Sequence, residues 1–225
     1  MRNLHPVAAH ETFVASGTYR YYRDGALMPV TERFTMHSLQ GAARLVRVDE
    51  DGRDEDGLTI LSEALYNPEG KLERFNVQSY NSKDAQTQTF KADYTFFEDY
   101  VQIGRKVGDA AREYEEFAFV VDCVPYLKQT VYMGYTIRDI LARENKSQVY
   151  APRLLSTSES VLQKIIVDER DTSDIQVGNK TINATKYQIA DDVFYWLDDH
   201  WIPVRREYTY KGVPYVVTLT NYAHA

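Results

Sequence analysis

The feature that most constrains this chain is a period-two alternation of apolar and polar residues, cut at short intervals by turn dipeptides. Residues 11–23 (ETFVASGTYRYYR) place Phe13, Ala15, Gly17, Tyr19 and Tyr21 on one parity, the pattern of a strand with two unlike faces. Asp24-Gly25 follows, a pair that tolerates the positive φ angles of a tight hairpin turn. Residues 29–37 form the return strand, Gly41 breaks it, and 44–49 begin a third strand. The rhythm continues through 58–66, the Asn67-Pro68-Glu69-Gly70 turn, 71–80, 87–95, 96–104 and 115–121. It resumes at 148–155, 161–170, 175–186 (folded about Gly178-Asn179), 186–189, 193–197, 201–210 and 213–222, the last two joined at Lys211-Gly212. Pro203 and Pro214 lack a ladder donor, which predicts positions near strand ends. A twisted sheet this wide must bend or close. The chain is therefore predicted to be mainly β, a long antiparallel meander forming a curved half-barrel or open barrel. With no linker or repeat, residues 1–225 form one β-rich domain.

One stretch departs from the alternation. In 124–143 the residues Leu127, Val131, Ile137, Ile140 and Leu141 recur at roughly helical spacing, and Pro125 suits a first helical turn. Gly134 and the β-branched residues weaken the pattern, so one helix or two short ones fit equally. A helix interrupting a curved sheet predicts a lid across its mouth or concave face.

Charge and composition exclude several function classes. Formal net charge is −7, which argues against a general electrostatic grip on nucleic acid and against adhesion to an anionic membrane. No apolar stretch reaches the length of a membrane helix, so membrane insertion is not expected. The N-terminus lacks the apolar core of a secretory signal, and Cys123 is the single cysteine. Both point to a soluble protein of the cytoplasm. Cys123 stands in apolar FAFVVDCVPYL, the setting of an inert buried thiol. The acidic run at 49–56 (DEDGRDED) lacks the full calcium-loop pattern and reads as a solvated loop. None of the five histidines has metal-ligand spacing. Asp198-Asp199-His200 reads as a polar turn in preference to a metal corner. Nucleophile-elbow and phosphate-loop motifs are absent. No catalytic residue, metal ligand or cofactor is assigned from sequence.

The last third carries a resemblance. Val177-Gly178-Asn179-Lys180-Thr181-Ile182-Asn183-Ala184-Thr185-Lys186-Tyr187, then Phe194-Tyr195-Trp196-Leu197-Asp198-Asp199, then Ile202-Pro203-Val204-Arg205-Arg206-Glu207 resemble a group of bacterial proteins of unknown function. Those proteins share a half-barrel fold with the lipoprotein carriers LolA and LolB. The similarity spans about residues 148–222. It implies the half-barrel and a concave apolar cavity, and it transfers no catalytic residue. Lipoprotein carriers act in the periplasm on acylated substrates. No export signal is read in this chain, so that activity is not carried over.

The C-terminal hairpin is the most suggestive surface. Ile202, Val204, Arg206, Tyr208 and Tyr210 share one parity, as do Val213, Tyr215, Val217 and Leu219. If the two faces coincide, they make an apolar wall carrying tyrosine hydroxyls and one guanidinium. Arg206 then suits a carboxylate or phosphate head group, although a core wall with Arg206 paired to a nearby Glu or reaching solvent along its stem is the simpler and preferred explanation. The 18 tyrosines, twice the number of phenylalanines, suit half-wet strand surfaces. The candidate ligand-binding residues are Tyr19, Tyr21, Arg206, Tyr208 and Tyr215. The expected partner is an apolar or amphiphilic, lipid-like small molecule on the concave face, under the helix as lid. The alternatives are an isomerase or lyase using the same cavity, or a homodimeric interaction module.

Overall fold

The alternation folds as strands. The computed structural model describes residues 1–83, 89–119, 123–144, 146–155 and 158–225. In chain order the strands are β1 (Thr12–Arg23), β2 (Ala26–Ser38), β3 (Arg44–Gly52), β4 (Leu58–Tyr66), β5 (Leu72–Asn81), β6 (Phe90–Phe96), β7 (Tyr100–Val107) and β8 (Glu113–Ala118). Then come β9 (Cys123–Pro125), helix α1 (Met133–Leu141), β10 (Lys146–Ala151), β11 (Val161–Ile166), β12 (Asp168–Val177), β13 (Lys180–Ala190), β14 (Val193–Leu197), β15 (Pro203–Tyr210) and β16 (Val213–His224).

A 13-stranded antiparallel sheet runs β12-β13-β14-β15-β16-β1-β2-β3-β4-β5-β6-β7-β8. Each neighbour is the next strand in sequence except at β16–β1, where the end of the chain pairs with its beginning. Among the described residues β8 and β12 do not pair with each other, so the sheet stays open. The hairpin dipeptides act as predicted: Asp24 and Gly25 have φ 50° and 77°, and Lys211 and Gly212 have 50° and 78°. Pro203 opens β15 and Pro214 is the second residue of β16. The chain is thus mostly β, a barrel-like antiparallel sheet with one short helix.

The helical segment expected in 124–143 is present in its shorter form: α1 covers Met133–Leu141 and a 3-10 turn covers Thr130–Tyr132. Four details need correction. The start of that segment, including Pro125, is the extended strand β9 and not a first helical turn. Val124 instead pairs in parallel with Val149 of β10, and β10 carries β11 to form a second, three-stranded sheet. The 161–170 strand is two strands, β11 and β12, which belong to different sheets. The strand placed at 96–104 begins at Tyr100, because the Phe97 N–H turns back to donate to Tyr100 O (2.9 Å) and its ring stacks on Tyr100 at 4.4 Å. Aromatic residues without Gly or Pro disguised that turn. The acidic run is not wholly a loop: Asp49 lies in β3, 2% exposed, where the Arg2 guanidinium and backbone N–H both donate to it (2.6 and 2.7 Å). Residues 87–88 and 120–121 of two predicted strands lie outside the described residues.

The second layer fills the concave face. Tyr132, fully buried, stands edge-on to Phe75 at 5.9 Å, and its hydroxyl lies 2.9 Å from Ser62 Oγ and donates to Val46 O at 3.3 Å. Tyr135 stacks on Tyr66 at 4.0 Å. Tyr150 of β10 packs among Phe96, Phe117 and Phe119, and Tyr94 donates to Arg153 O at 2.8 Å. The other face of α1 buries Met133, Ile137 and Ile140 against Val149, Tyr187, Tyr195 and Leu197. Burying a side chain of this size contributes about 1.5–3 kcal/mol. Gly134 lets the helix come this close: a Cβ there would stand 1.6 Å from Trp201 O.

The outer face of β2–β4 carries a strap, residues 1–11. Glu11 accepts two bonds from Arg47 (2.6 and 2.7 Å), and Glu63 accepts from Arg47 Nε (3.2 Å). His5 adds its backbone N–H to Glu63 at 2.9 Å. Arg47 is 2% exposed, a buried cation held by two carboxylates.

Candidate tyrosine and arginine site at the sheet rim

The β15–β16 register sets the site. Arg206 lies opposite Val217 and Tyr208 opposite Tyr215, so the apolar parities of the two strands coincide on the inner face. Strand β14 brings Tyr195 opposite Arg206. Strand β1 brings Tyr21 opposite Val217 and Tyr19 opposite Leu219. Four of the five residues singled out from sequence, Tyr21, Arg206, Tyr208 and Tyr215, therefore share one stretch of wall. Tyr19 sits deeper. It is fully buried, stacks on Phe34 at 5.5 Å, and its hydroxyl has no partner among the described residues. Tyr210, on the same parity, is exposed beyond the layer.

Arg206 is half-buried and held by aromatic faces. Its guanidinium carbon lies 4.3 Å from the Tyr208 ring centre and 5.3 Å from that of Tyr195. Tyr208 in turn stacks on Tyr215 at 5.0 Å, with the planes 7° apart. Arg206 Nε is buried without an acceptor, and no described carboxylate lies within ion-pair distance of the group. The next residue, Arg205, takes the neighbouring acid, Glu207, at 2.6 Å. A guanidinium cannot shed its charge, so this one stands uncompensated by a direct partner.

Two acids missed from sequence face the same region. Glu32 of β2 is fully buried. It accepts from the Tyr21 hydroxyl (2.6 Å) and from the backbone N–H groups of Thr130 (3.1 Å) and Val131 (3.3 Å). It thereby ties the turn that opens the lid to the sheet, meeting the unpaired N–H groups of a helical start. Burial raises its carboxyl above the ordinary range, against those three bonds. Glu50 of β3 is the cross-strand partner of Glu32. Burial pushes it up to about 8; the Glu32 and Asp56 carboxylates act in the same sense, and Arg206 acts against them. The sequence did hold a signal for both. Glu32 shares parity with Phe34 and Met36, and Glu50 with Val46 and Val48, which puts an acid on an apolar stripe. Gln129, immediately before the turn, is 2% exposed, and neither amide atom is bonded among the described residues.

The other candidate groups are occupied elsewhere. Asp198 organises the 198–202 turn, accepting from His200 N (3.0 Å), Ile202 N (2.8 Å) and the Tyr222 hydroxyl (2.7 Å). His200 stacks on His224 at 4.0 Å. Burial pushes the Cys123 thiol up to about 12. Among the described residues no three His, Cys, Asp or Glu side chains gather closely enough to hold a metal. What the rim offers chemically is a fixed cation on an aromatic platform, beside two carboxyl groups that resist ionisation.

No protein-family model matches the chain, and no curated protein matches it. Among solved structures it is similar to the crystal structure of a β-barrel-like protein of a domain of unknown function (DUF1849) from Brucella abortus. Identity is 10%, the match covers 96% of this chain and 100% of that one, and the TM-score is 0.55. Such a likeness shows a shared fold. Among the described residues no helix is long and apolar enough to cross a membrane.

Proposed function

We propose that this protein is a non-enzymatic binder of an amphiphilic small molecule, held at the rim where the β15–β16 hairpin meets the lid. The observation that carries this is Arg206: a permanent cation, stacked on Tyr208 and Tyr195, with a buried Nε that has no acceptor among the described residues. An unpaired, partly desolvated charge is costly, and a ligand anion relieves the cost. The ligand differs in one respect from the sequence expectation. Its apolar part lies along the Tyr208–Tyr215 pair, because Tyr132, Tyr135 and Tyr150 already occupy the concave face. Kinship with the lipoprotein carriers, and residence in the cytoplasm, belong to this proposal as expectations. Native mass spectrometry of gently purified protein tests it. The expected result is an extra mass that leaves on denaturation and is absent from Arg206→Gln. A clean polypeptide mass, together with no uptake of a fluorescent fatty-acid probe, would overturn it.

A second reading has one observation of its own. A carboxyl group held near pH 8, as in Glu50, is suited to general acid–base chemistry. In that case the site turns over a bound carbonyl or hydroxy compound, and Glu50→Gln abolishes turnover while leaving binding intact. Loss of binding and turnover together in that variant would reject it.

A further inference from the structure

We infer that the protein carries a second ligand site, separate from the rim: a cleft beside the lid helix that takes a small aromatic zwitterion of the α-amino acid type.

The cleft has a volume of about 340 Å³, near the lower end of the range of roughly 300–1,000 Å³ for small-molecule sites. That suits one ring with a short head, and not an extended acyl chain. It lies between α1, the turn joining β4 to β5, the turn joining β6 to β7, and β9. Leu72, Phe96, Phe119 and Pro125 give it an apolar side. Two of these rings are backed by a third: Phe96 and Phe119 each meet Tyr150 edge-on, at 6.4 and 5.6 Å. Such a wall favours an aromatic ligand, because ring pairs attract beyond the area they bury.

The mouth carries charge of both signs on two elements that are locked together. Arg138 of α1 is the lock: its Nη2 donates to Gly70 O at 2.9 Å and lies 3.4 Å from Asp139 Oδ1. Lys71, the residue after Gly70, is held in turn by its own backbone, its N–H donating to Asn67 Oδ1 at 2.9 Å. One guanidinium thus sets Lys71 and Asp139 on the same cleft, which both of them line. They do not neutralise each other: among the described residues the Lys71 ammonium forms no ion pair or hydrogen bond. The contact of Asp139 to Arg138 is long, so its carboxylate keeps accepting capacity. An ammonium and a carboxylate held apart at one mouth fit a ligand that carries the complementary pair. The ligand carboxylate meets Lys71, its ammonium meets Asp139, and its ring lies against Phe96 and Phe119. Arg143, Glu73 and Glu98 continue the mixed field, so a ligand of one sign meets a like charge beside each counter-charge.

Isothermal titration calorimetry of the full chain at neutral pH and low salt tests this with three one-ring probes: L-phenylalanine, phenylpropanoate and phenylethylamine. L-Phenylalanine is expected to bind about 10-fold more tightly than either singly charged probe. Lys71→Gln is expected to weaken L-phenylalanine about 10-fold and to leave phenylethylamine unchanged. Asp139→Asn is expected to weaken L-phenylalanine by a similar factor and to leave phenylpropanoate unchanged. The unaffected probe in each variant shows that the fold is intact. Equal affinity for the three probes, or binding of none, would overturn the site. Loss of L-phenylalanine in Arg206→Gln would also overturn it, by moving the ligand to the rim. Unchanged binding in that variant is the expected result, and it keeps this site independent of the amphiphile proposal.

Discussion

Glu32 anchors the lid, and removing it should show how much of the fold depends on that anchor. In Glu32→Ala three donors lose their acceptor: the Tyr21 hydroxyl and the N–H groups of Thr130 and Val131. Each buried orphan costs about 1–3 kcal/mol. Some of that is offset because a buried acid no longer has to be desolvated. The net loss expected is about 3–5 kcal/mol. Glu32→Gln keeps one acceptor oxygen, which can serve the Thr130 N–H and the Tyr21 hydroxyl that both donate to Oε2, while its amide nitrogen leaves the Val131 N–H without the Oε1 acceptor, so a smaller loss of about 1–2 kcal/mol is expected. Urea denaturation gives the global figure, and amide hydrogen exchange gives the local one. Exchange at Thr130 and Val131 should accelerate on the order of 100-fold in the alanine variant, with β4–β6 amides affected less. Equal stabilities of the two variants, or unchanged protection at those two amides, would refute the anchoring role.

Other substitutions follow from the same geometry. Gly134→Ala places a methyl against Trp201 O and should cost roughly 3 kcal/mol or more, read as a lower urea midpoint with accelerated exchange in α1. Glu11→Gln removes one of the carboxylates holding buried Arg47, and a loss of about 2–4 kcal/mol at pH 7 is expected in the urea midpoint. Arg47 holds Glu11 down to about 2. Its contribution is therefore present above the ordinary value of 4.5 and lost as pH falls towards 2, a loss that Glu11→Gln should not show. Glu50 works in the opposite sense. Its folded-state value is raised from 4.5 to about 8, so its contribution is full below the lower value and declines as pH rises to the upper one. Thermal melts of Glu50→Gln should lack that decline between about pH 5 and 8.

Much of the fold was legible because a half-buried strand repeats every second residue and a hairpin turn needs particular residues. Leu58–Tyr66 has the bounds that the pattern implies, and Val177 pairs with Lys180 around Gly178-Asn179. The second layer was not legible. Its parallel pairing of Val124 with Val149 joins segments separated by a helix, and no local period encodes that contact. Nor does any period tell that Tyr132 fills the concave face in place of a ligand. The site was half legible. Parity alone put Arg206, Tyr208 and Tyr215 on one wall, but it also put Tyr19 there, and depth along a strand is set by the opposing layer. Glu32 and Glu50 stood on apolar stripes, a mismatch that marks buried acids once burial itself is known. The strap could not be foreseen, because Arg2, His5 and Glu11 show no pattern until β3 and β4 present Asp49, Arg47 and Glu63 to them.

The most direct test is a crystal structure of the protein grown with octanoate. The expected result is a carboxylate within hydrogen-bonding distance of Arg206, a tail along Tyr208 and Tyr215, and Tyr132 still donating to Val46 O beneath an undisplaced lid. Octanoate lying between Tyr132 and Phe75, with α1 lifted away and Arg206 untouched, would contradict the claim that the chain fills its own concave face and binds at the rim.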